Sequence, residues 1–311
     1  MNPTYRKWLT IVFSNRLSAS GFVIISIFLI IALLYLIFGN LILPYNPIQI
    51  NLSQVNAPPS FRHLFGTDQE GRDIFSRVIA ALPVDLGISM LVVVTSAALG
   101  LILGVLAGYY RGIFEEIIMR VTDLFFALPP LIMAMAIAIT LGSSLINASI
   151  AIIIVWWPPY VRLVRGSTLE VTANEYITMS KVLNTPFIKI FTKGIFPNIV
   201  TSLLVYATMD IGTAILTLST LGFLGIGIPV GTPELGVMSS ILSTNFYTYP
   251  LEGLIPAFFI FLIVMGFSLT GEGVAEIIDP NIRGHLISRK RRLEEMKKIK
   301  AGSRPSDIGP Q

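Results

Sequence analysis

Long uncharged apolar stretches, separated by short polar segments, set the pattern of this chain. Crossing a hydrocarbon core of about 30 Å takes about 20 residues of helix. Stretches near that length run from Gly21 to Leu43, Leu86 to Tyr109, Leu124 to Leu141, Leu145 to Val161, Ile199 to Gly222 and Gly253 to Gly271. The uncharged run from Leu124 to Val161 is too long for one helix, and Gly142-Ser143-Ser144 supplies a turn that splits it into a hairpin. The pattern predicts an all-α integral membrane protein with six transmembrane helices, one N-terminal span ahead of a five-helix core. The first stretch exceeds a signal core and no small-residue cleavage site follows it, so it is expected to remain as a span.

Composition agrees: 53% of residues are hydrophobic and 13% charged, against about 25% charged in soluble domains. Lys and Arg accumulate on the cytoplasmic side of short loops. Of the 22 in this chain, all but Arg62, Arg72 and Arg77 fall on one predicted side, so both termini are expected in the cytoplasm of a multi-pass plasma-membrane protein. The net charge of +4 is therefore a topology signal, with the lipid bilayer rather than nucleic acid as the partner. The basic run Arg289 to Arg292 reads as a solvated, lipid-facing end, and the last dozen or so residues as disordered. The expected organisation is a cytoplasmic segment over 1–20, the first span over 21–43, an extracellular segment with an amphipathic region over 44–85, a core transmembrane domain over 86–273 and a basic tail over 274–311. Zero cysteines exclude disulfides and thiolate metal sites.

The core is interrupted by a polar loop over 162–198. Thr168 to Leu183 has good helix formers, with Glu170 and Glu175 early and Lys181 late, an order that complements the helix dipole. Asn184 stands where a left-handed cap is needed, and Thr185-Pro186 reads as an N-cap and first helical position. A helix, a sharp corner and a second helix are predicted, closed by Phe196-Pro197-Asn198. Upstream of the second span, Asp68, Arg72, Asp73 and Arg77 can staple a loop by ion pairs or take part in gating or receiving a partner. A short amphipathic helix on the outer face is expected there.

Within the spans, Ser96, Gly100, Gly104 and Gly108 place a small residue at every fourth position, so another helix can approach closely, from this subunit or a second one. Pro129-Pro130 and Pro158-Pro159 are expected to bend or interrupt their helices, and Trp156 and Trp157 to mark an interfacial belt. Asp210 is the acid near the middle of a span, where a charge costs about 2.5–3.5 kcal/mol. It is expected to contact a solute or cation in a pathway, or to bond a Ser or Thr such as Thr213. Thr208, Thr213, Thr217 and Thr220 add a polar stripe to that span. No Gly-x-x-x-x-Gly-Lys loop is present to cradle ATP phosphates. His63 and His285 are far apart, outside the spans and read as solvated, so intramembrane hydrolysis is poorly supported. An ion-coupled secondary transporter remains a rival, weakened by the lack of a visible internal repeat.

Two longer motifs point to a family. Glu175-Tyr176-Ile177-Thr178-Met179-Ser180-Lys181-Val182-Leu183-Asn184, continued to Ile195-Phe196-Pro197-Asn198, resembles the coupling loop of ABC importer permeases, with Thr178-Met179-Ser180 at the Glu-Ala-Ala position and Asn184 at the Gly position. His63-Leu64-Phe65-Gly66-Thr67-Asp68-Gln69-Glu70-Gly71-Arg72-Asp73-Ile74-Phe75-Ser76-Arg77 resembles the signature of the dipeptide, oligopeptide and nickel permease group, specifically its C-type subunit. Trp157 to Gly166, Leu221 to Gly227 and Asp279-Pro280 agree, and the resemblance spans about Leu17 to Arg283. It implies a type I importer core that forms half of a translocation pathway for peptides or a related small solute, with oligosaccharides or nickel as alternatives. The implied partners are a homologous permease in a heterodimer, two ATP-binding cassette subunits and an extracellular solute-binding protein. No cofactor would bind this chain, and ATP and Mg would be used by the partner subunits. Coupling would fall to Glu175, Tyr176, Thr178, Met179, Ser180, Lys181, Leu183 and Asn184, the pathway to Asp210, Thr213 and Thr217, and the extracellular motif to Asp68, Gly71, Arg72, Asp73 and Arg77.

Overall fold

The structure is a computed structural model that describes residues 16–278. The expectations for His285, Asp279-Pro280 and the basic tail lie outside the described residues. The described chain is helical, with five helices long and apolar enough to cross a membrane, or six if one bent pair forms a single broken span.

Helix α1 (Arg16–Phe38) is apolar nearly all round and stops at Gly39, whose φ of +57° favours glycine. After an irregular segment, α2 (Ile74–Tyr110) begins with Asp73 as its N-cap, the carboxylate accepting from the backbone N–H of Ser76. The helix expected to start at Leu86 thus begins at Ile74, and no separate amphipathic helix precedes it. The polar residues Arg77 and Asp85, which broke the apolar run in the sequence, are buried inside this helix and held by partners distant in sequence.

Arg111 and Gly112, both at positive φ, turn the chain into α3 (Gly112–Phe126). Next comes α4 (Pro130–Leu141), set at 84° to α3. The expected span from Leu124 to Leu141 is therefore not one helix. Pro130 opens α4 rather than bending a continuous helix, since a proline is tolerated in a first turn that has no N–H bond to lose. At 12 residues, α4 covers about 18 Å, short of the hydrocarbon thickness. The second proline pair behaves differently: α5 (Leu145–Trp156) and α6 (Pro158–Thr172) together form one span candidate of 28 residues. The helix expected to end at Val161 continues to Thr172, which shortens the polar loop.

The loop then holds α7 (Glu175–Val182) and α8 (Phe187–Ile190). A π-helical turn, Phe191–Ile195, carries α8 directly into α9 (Phe196–Phe223), so Phe196-Pro197-Asn198 sits inside a continuous helix instead of closing the loop. Two short helices, α10 (Leu235–Ser239) and α11 (Leu242–Asn245), precede α12 (Pro250–Ile278).

The small-residue stripe explains the tightest packing. A Cβ on Gly100 would collide with Tyr160, one on Gly104 would lie 2.7 Å from the Val164 Cβ, and one on Gly108 would lie 2.7 Å from that of Thr168. The stripe therefore packs α2 on α6 of the same chain. One core cluster gathers Val92 and Val105 of α2, Ile152 of α5, Tyr160 of α6 and Leu218 of α9. A second joins Phe28 of α1, Leu82 of α2, Leu235 of α10 and Ile263 of α12.

Candidate functional site

Local geometry at the polar loop begins with the corner after α7. Asn184 has φ of +50°, as a left-handed cap requires. The N–H of Thr185 reaches back to the carbonyl of Ser180 and that of Asn184 to Lys181, both at 3.0 Å. This is the Schellman pattern, which satisfies carbonyls that the helix end leaves without donors. The predicted corner at Asn184 is present. The predicted first helix is shorter than Thr168 to Leu183, because the chain turns at Ala173 and Asn174 between α6 and α7. Pro186, rather than Thr185, caps the next helix.

One side of α7 faces the bundle. Ile177 is buried, and a Cβ on Gly194 would lie 2.5 Å from its Cδ1, so the glycine makes room for it. The Tyr176 hydroxyl accepts from the side-chain amide of Asn198, 3.3 Å away. Lys181 places its ammonium 4.3 Å from the centre of the Tyr109 ring at the end of α2, a cation–π contact. Partial burial, then the neighbouring Arg111, lower the ammonium below its ordinary value. Tyr109 in turn packs against Phe187, with ring centres 4.8 Å apart.

Met179 is 64% exposed, Val182 71% and Leu183 77%, with Tyr176 half exposed beside them. These apolar side chains lie outward with no protein over them, on a helix anchored from beneath. Glu175, Thr178 and Lys181 are also exposed, while Ser180 is partly covered and donates its hydroxyl to the carbonyl of Tyr176. Basic residues above the loop are paired: Arg162 with Asp123 at 2.7 Å, and Arg165 with Glu115 of α3.

Asp210 has different partners from those expected. Its Oδ2 accepts from the indole N–H of Trp156 at 2.7 Å and from the hydroxyl of Tyr160 at 2.6 Å. The acid thus ties α9 to the α5–α6 junction, not to Thr213, and Trp156 turns to the interior rather than standing in an interfacial belt. The threonine hydroxyls turn back onto their own helix, Thr217 donating to the Thr213 carbonyl at 2.9 Å and Thr220 to that of Leu216 at 2.6 Å. Thr213 is exposed. A cavity of about 490 Å³ opens between α9 and α12, lined in part by Leu216, Ser219, Thr220, Phe223 and Ile260, and does not include Asp210, Thr213 or Thr217.

At the other end of the bundle, residues 44–73 form a cap. Asp68 accepts from the backbone N–H groups of Glu70 and Arg72 and from the Arg72 guanidinium. Gly71, at φ of +71°, lies so close to the Asn51 carbonyl that no side chain fits. Asp73 caps α2 and pairs with His63 at 2.8 Å. His63 is therefore a buried structural group, bonded also to Gln54 and stacked on Tyr45, and not a solvated one. Arg77 donates to the carbonyls of Pro47, Gly231 and Thr232. The motif is stapled, as its charge spacing predicted, and it grips the loop before α10 as well.

Residues that the sequence reading did not single out include Val182, Tyr109 and Phe187 at the loop, and Trp156 and Tyr160 as partners of Asp210. A signal for the last two was present: a buried acid needs donors, and the Trp-Trp-Pro-Pro-Tyr run offers them at membrane depth.

Residues 100–284 match the family described as binding-protein-dependent transport system inner membrane component. The glutathione transport system permease protein GsiD of Escherichia coli O157:H7 is 37% identical over 260 residues, covering 83% of this chain and 86% of that protein. GsiD of Shigella boydii serotype 4 gives the same values, and that of Shigella dysenteriae serotype 1 is 36% identical over the same length. A crystal structure of an amino acid ABC transporter with histidines overlaps only partially, at TM-score 0.49 and 14% identity, over 63% of this chain and 91% of that one. The chain belongs to the binding-protein-dependent transport system inner membrane components, and is a multi-pass permease subunit of an ABC importer without an ATPase domain of its own.

Proposed function

We propose that this permease imports a small peptide or peptide-like solute, such as the glutathione named for its relatives, and that α7 is the point where an ATPase subunit grips it. The observation that carries the second part is the outward apolar face of Tyr176, Met179, Val182 and Leu183. A soluble partner that covers those side chains gains the burial the chain itself leaves undone. Glu175, Thr178 and Lys181 flank that face, and Ser180 and Asn184 hold its corner.

In this reading α7 and both termini lie in the cytoplasm, and the cap over 44–73 faces outward, where a solute-binding protein delivers its cargo. A second, homologous permease completes the pathway, and two ATPase subunits bind and hydrolyse ATP with Mg. Closing of the ATPases moves α7 as a rigid body. Because α8 and the π-helical turn run straight into α9, and Lys181 and Phe187 meet Tyr109 of α2, the displacement reaches two long helices at once. Asp210 holds α9 to the α5–α6 junction, so that Thr213 and Thr217 move with it along the pathway.

Absence of cysteine makes the test clean. A single Met179→Cys substitution in the assembled transporter should crosslink to the ATPase subunit, and Met179→Glu should abolish ATP-driven uptake while membrane insertion is unchanged. Full uptake by Met179→Glu, with normal ATPase association, would overturn the coupling role. Competition of labelled glutathione uptake by short peptides, oligosaccharides and nickel separately tests the solute: only the first should compete.

A further inference from the structure

A pair of buried acids lies apart from the loop, the cap and Asp210. Asp85 of α2 and Glu234 at the head of α10 are both completely buried. Glu234 accepts from the backbone N–H groups of Gly236 at 2.9 Å and Val237 at 2.7 Å. Asp85 uses Oδ2 to accept from the N–H of Leu235 at 3.2 Å, the residue next to Glu234, so the two carboxyls meet at one helix head. The other oxygen, Asp85 Oδ1, is buried without a partner. Ser219 of α9 faces Glu234, and its buried hydroxyl makes no hydrogen bond of good geometry. Gly222 leaves the wall bare backbone, because a Cβ there would strike the Glu234 carboxylate.

No cation neutralises the pair among the described residues. Arg77 points to Asp68 and to the carbonyls of Pro47, Gly231 and Thr232, and Arg72 is held by Asp68 and Glu70. From α12, Glu252 faces the cap, accepting from the Gln69 N–H. From α9 the group presented is the uncharged Ser219. Each acid therefore has the other as its charged neighbour.

We propose that Asp85 and Glu234 form a proton-binding site that holds one proton between two buried carboxyls. Glu234 is the ionised member, because two backbone N–H groups converge on it and favour the anion. Asp85 carries the proton on Oδ1, which turns a buried acceptor without a donor into a donor. The proton belongs to the pair as a unit. Burial drives the Glu234 carboxyl, in the loop between spans, upward.

The site has a mechanical consequence. Helix α10 lies between α2, α9 and α12, and its Gly236 and Ser239 line the cavity of about 490 Å³. With the proton bound, α10 docks on α2. Without it, two like charges meet at the head of α10, and that wall of the cavity is pushed outward. The shape of the cavity is thereby linked to proton concentration, whichever solute is carried.

Unfolded carboxyls ionise near pH ~4, so around neutrality the folded pair holds about one proton more than the unfolded chain. Stability must then fall as pH rises, by up to about tenfold in the unfolding equilibrium per pH unit. The experiment uses the full-length permease in its assembled transporter. Infrared spectra in H₂O and D₂O should show a protonated-carboxyl C=O band that persists at neutral pH, shifts down in D₂O and disappears in Asp85→Asn. The thermal midpoint of the wild type should fall from about pH 6 to about pH 9, and Asp85→Asn should flatten that slope. If Asp85→Asn does not fold, Glu234→Gln, which keeps the capping acceptor but removes the like charge, should move the loss of the carboxyl band to lower pH. Lack of the band in the wild type overturns the site, as does an unaltered slope in Asp85→Asn or an unshifted band in Glu234→Gln. So does a midpoint that follows sodium or potassium concentration in place of pH.

Discussion

The cap over 44–73 and the loop between α6 and α8 are both polar, and they treat their side chains in opposite ways. In the cap and the first turn of α2 the charges turn inward: Asp73, Arg77, Asp68 and His63 are all buried and each has a named partner. In the loop the helix corner is closed by backbone hydrogen bonds, and the apolar side chains Met179, Val182 and Leu183 turn outward with nothing over them. Buried polar groups that satisfy one another stabilise the chain that contains them. Exposed apolar groups on a firmly held helix stabilise nothing until something covers them. The contrast separates a region that satisfies its own side chains from one that leaves apolar side chains uncovered, although both resemble long motifs in the sequence.

The largest expected effect breaks the cap. Arg77→Ala removes the donor to three backbone carbonyls and leaves Asp68 with one guanidinium instead of two. Losing one member of a buried charged network costs about 3–5 kcal/mol. Thermal unfolding of the purified chain should register this as a large drop in midpoint, with uptake falling in step with the amount of folded protein. A stability loss under about 1 kcal/mol would mean that the cap is not the self-contained region drawn here, and that its charges await an outside partner.

Much of the fold was legible because it depends on local pattern. Uncharged runs announced the spans, Gly100, Gly104 and Gly108 announced a close helix contact, and Asn184 announced its own corner. What was hidden depends on contacts between residues far apart in sequence. Arg77 and Asp85 looked like the end of a polar segment, yet they lie inside α2 because Gly231, Thr232 and Leu235 come back to meet them. Asp210 looked toward Thr213, three residues away, and found Trp156 and Tyr160 on other helices. The two proline pairs read alike, but one starts a helix at 84° to its predecessor and the other barely interrupts a span. A diproline limits backbone choices without selecting among them; the neighbours decide.

An intermediate effect sharpens the loop side. Asn184 sits at φ of +50°, where an ordinary L-residue is disfavoured by about 1–2 kcal/mol and Asn is tolerated better. Asn184→Ala should therefore loosen the corner by about 1 kcal/mol, and Asn184→Gly should restore it or improve on it. Global stability should hardly change, because α7 adds little core beyond Ile177. Hydrogen exchange at the amides of Leu183, Asn184 and Thr185 reads the local opening directly. Faster exchange in the Ala variant alone fits a preset corner, whereas equal rates in both variants would show that the corner is not fixed by this residue.

The smallest effect on the isolated chain is the one that decides the comparison. Leu183 is 77% exposed, so Leu183→Ser removes almost no buried surface and should alter stability by no more than about 0.5 kcal/mol. In the assembled transporter the same side chain would be covered by the ATPase subunit. Fully burying a Leu is worth about 1.5–3 kcal/mol, so its loss should weaken ATPase association by about tenfold or more, read by titrating the ATPase subunit onto permease in lipid discs. Arg77→Ala should show the opposite order, a large loss of stability and ordinary ATPase affinity in the fraction that folds. If Leu183→Ser weakened the isolated chain as much as the complex, its side chain would already have a place within the fold, and the loop would differ from the cap only in where it lies.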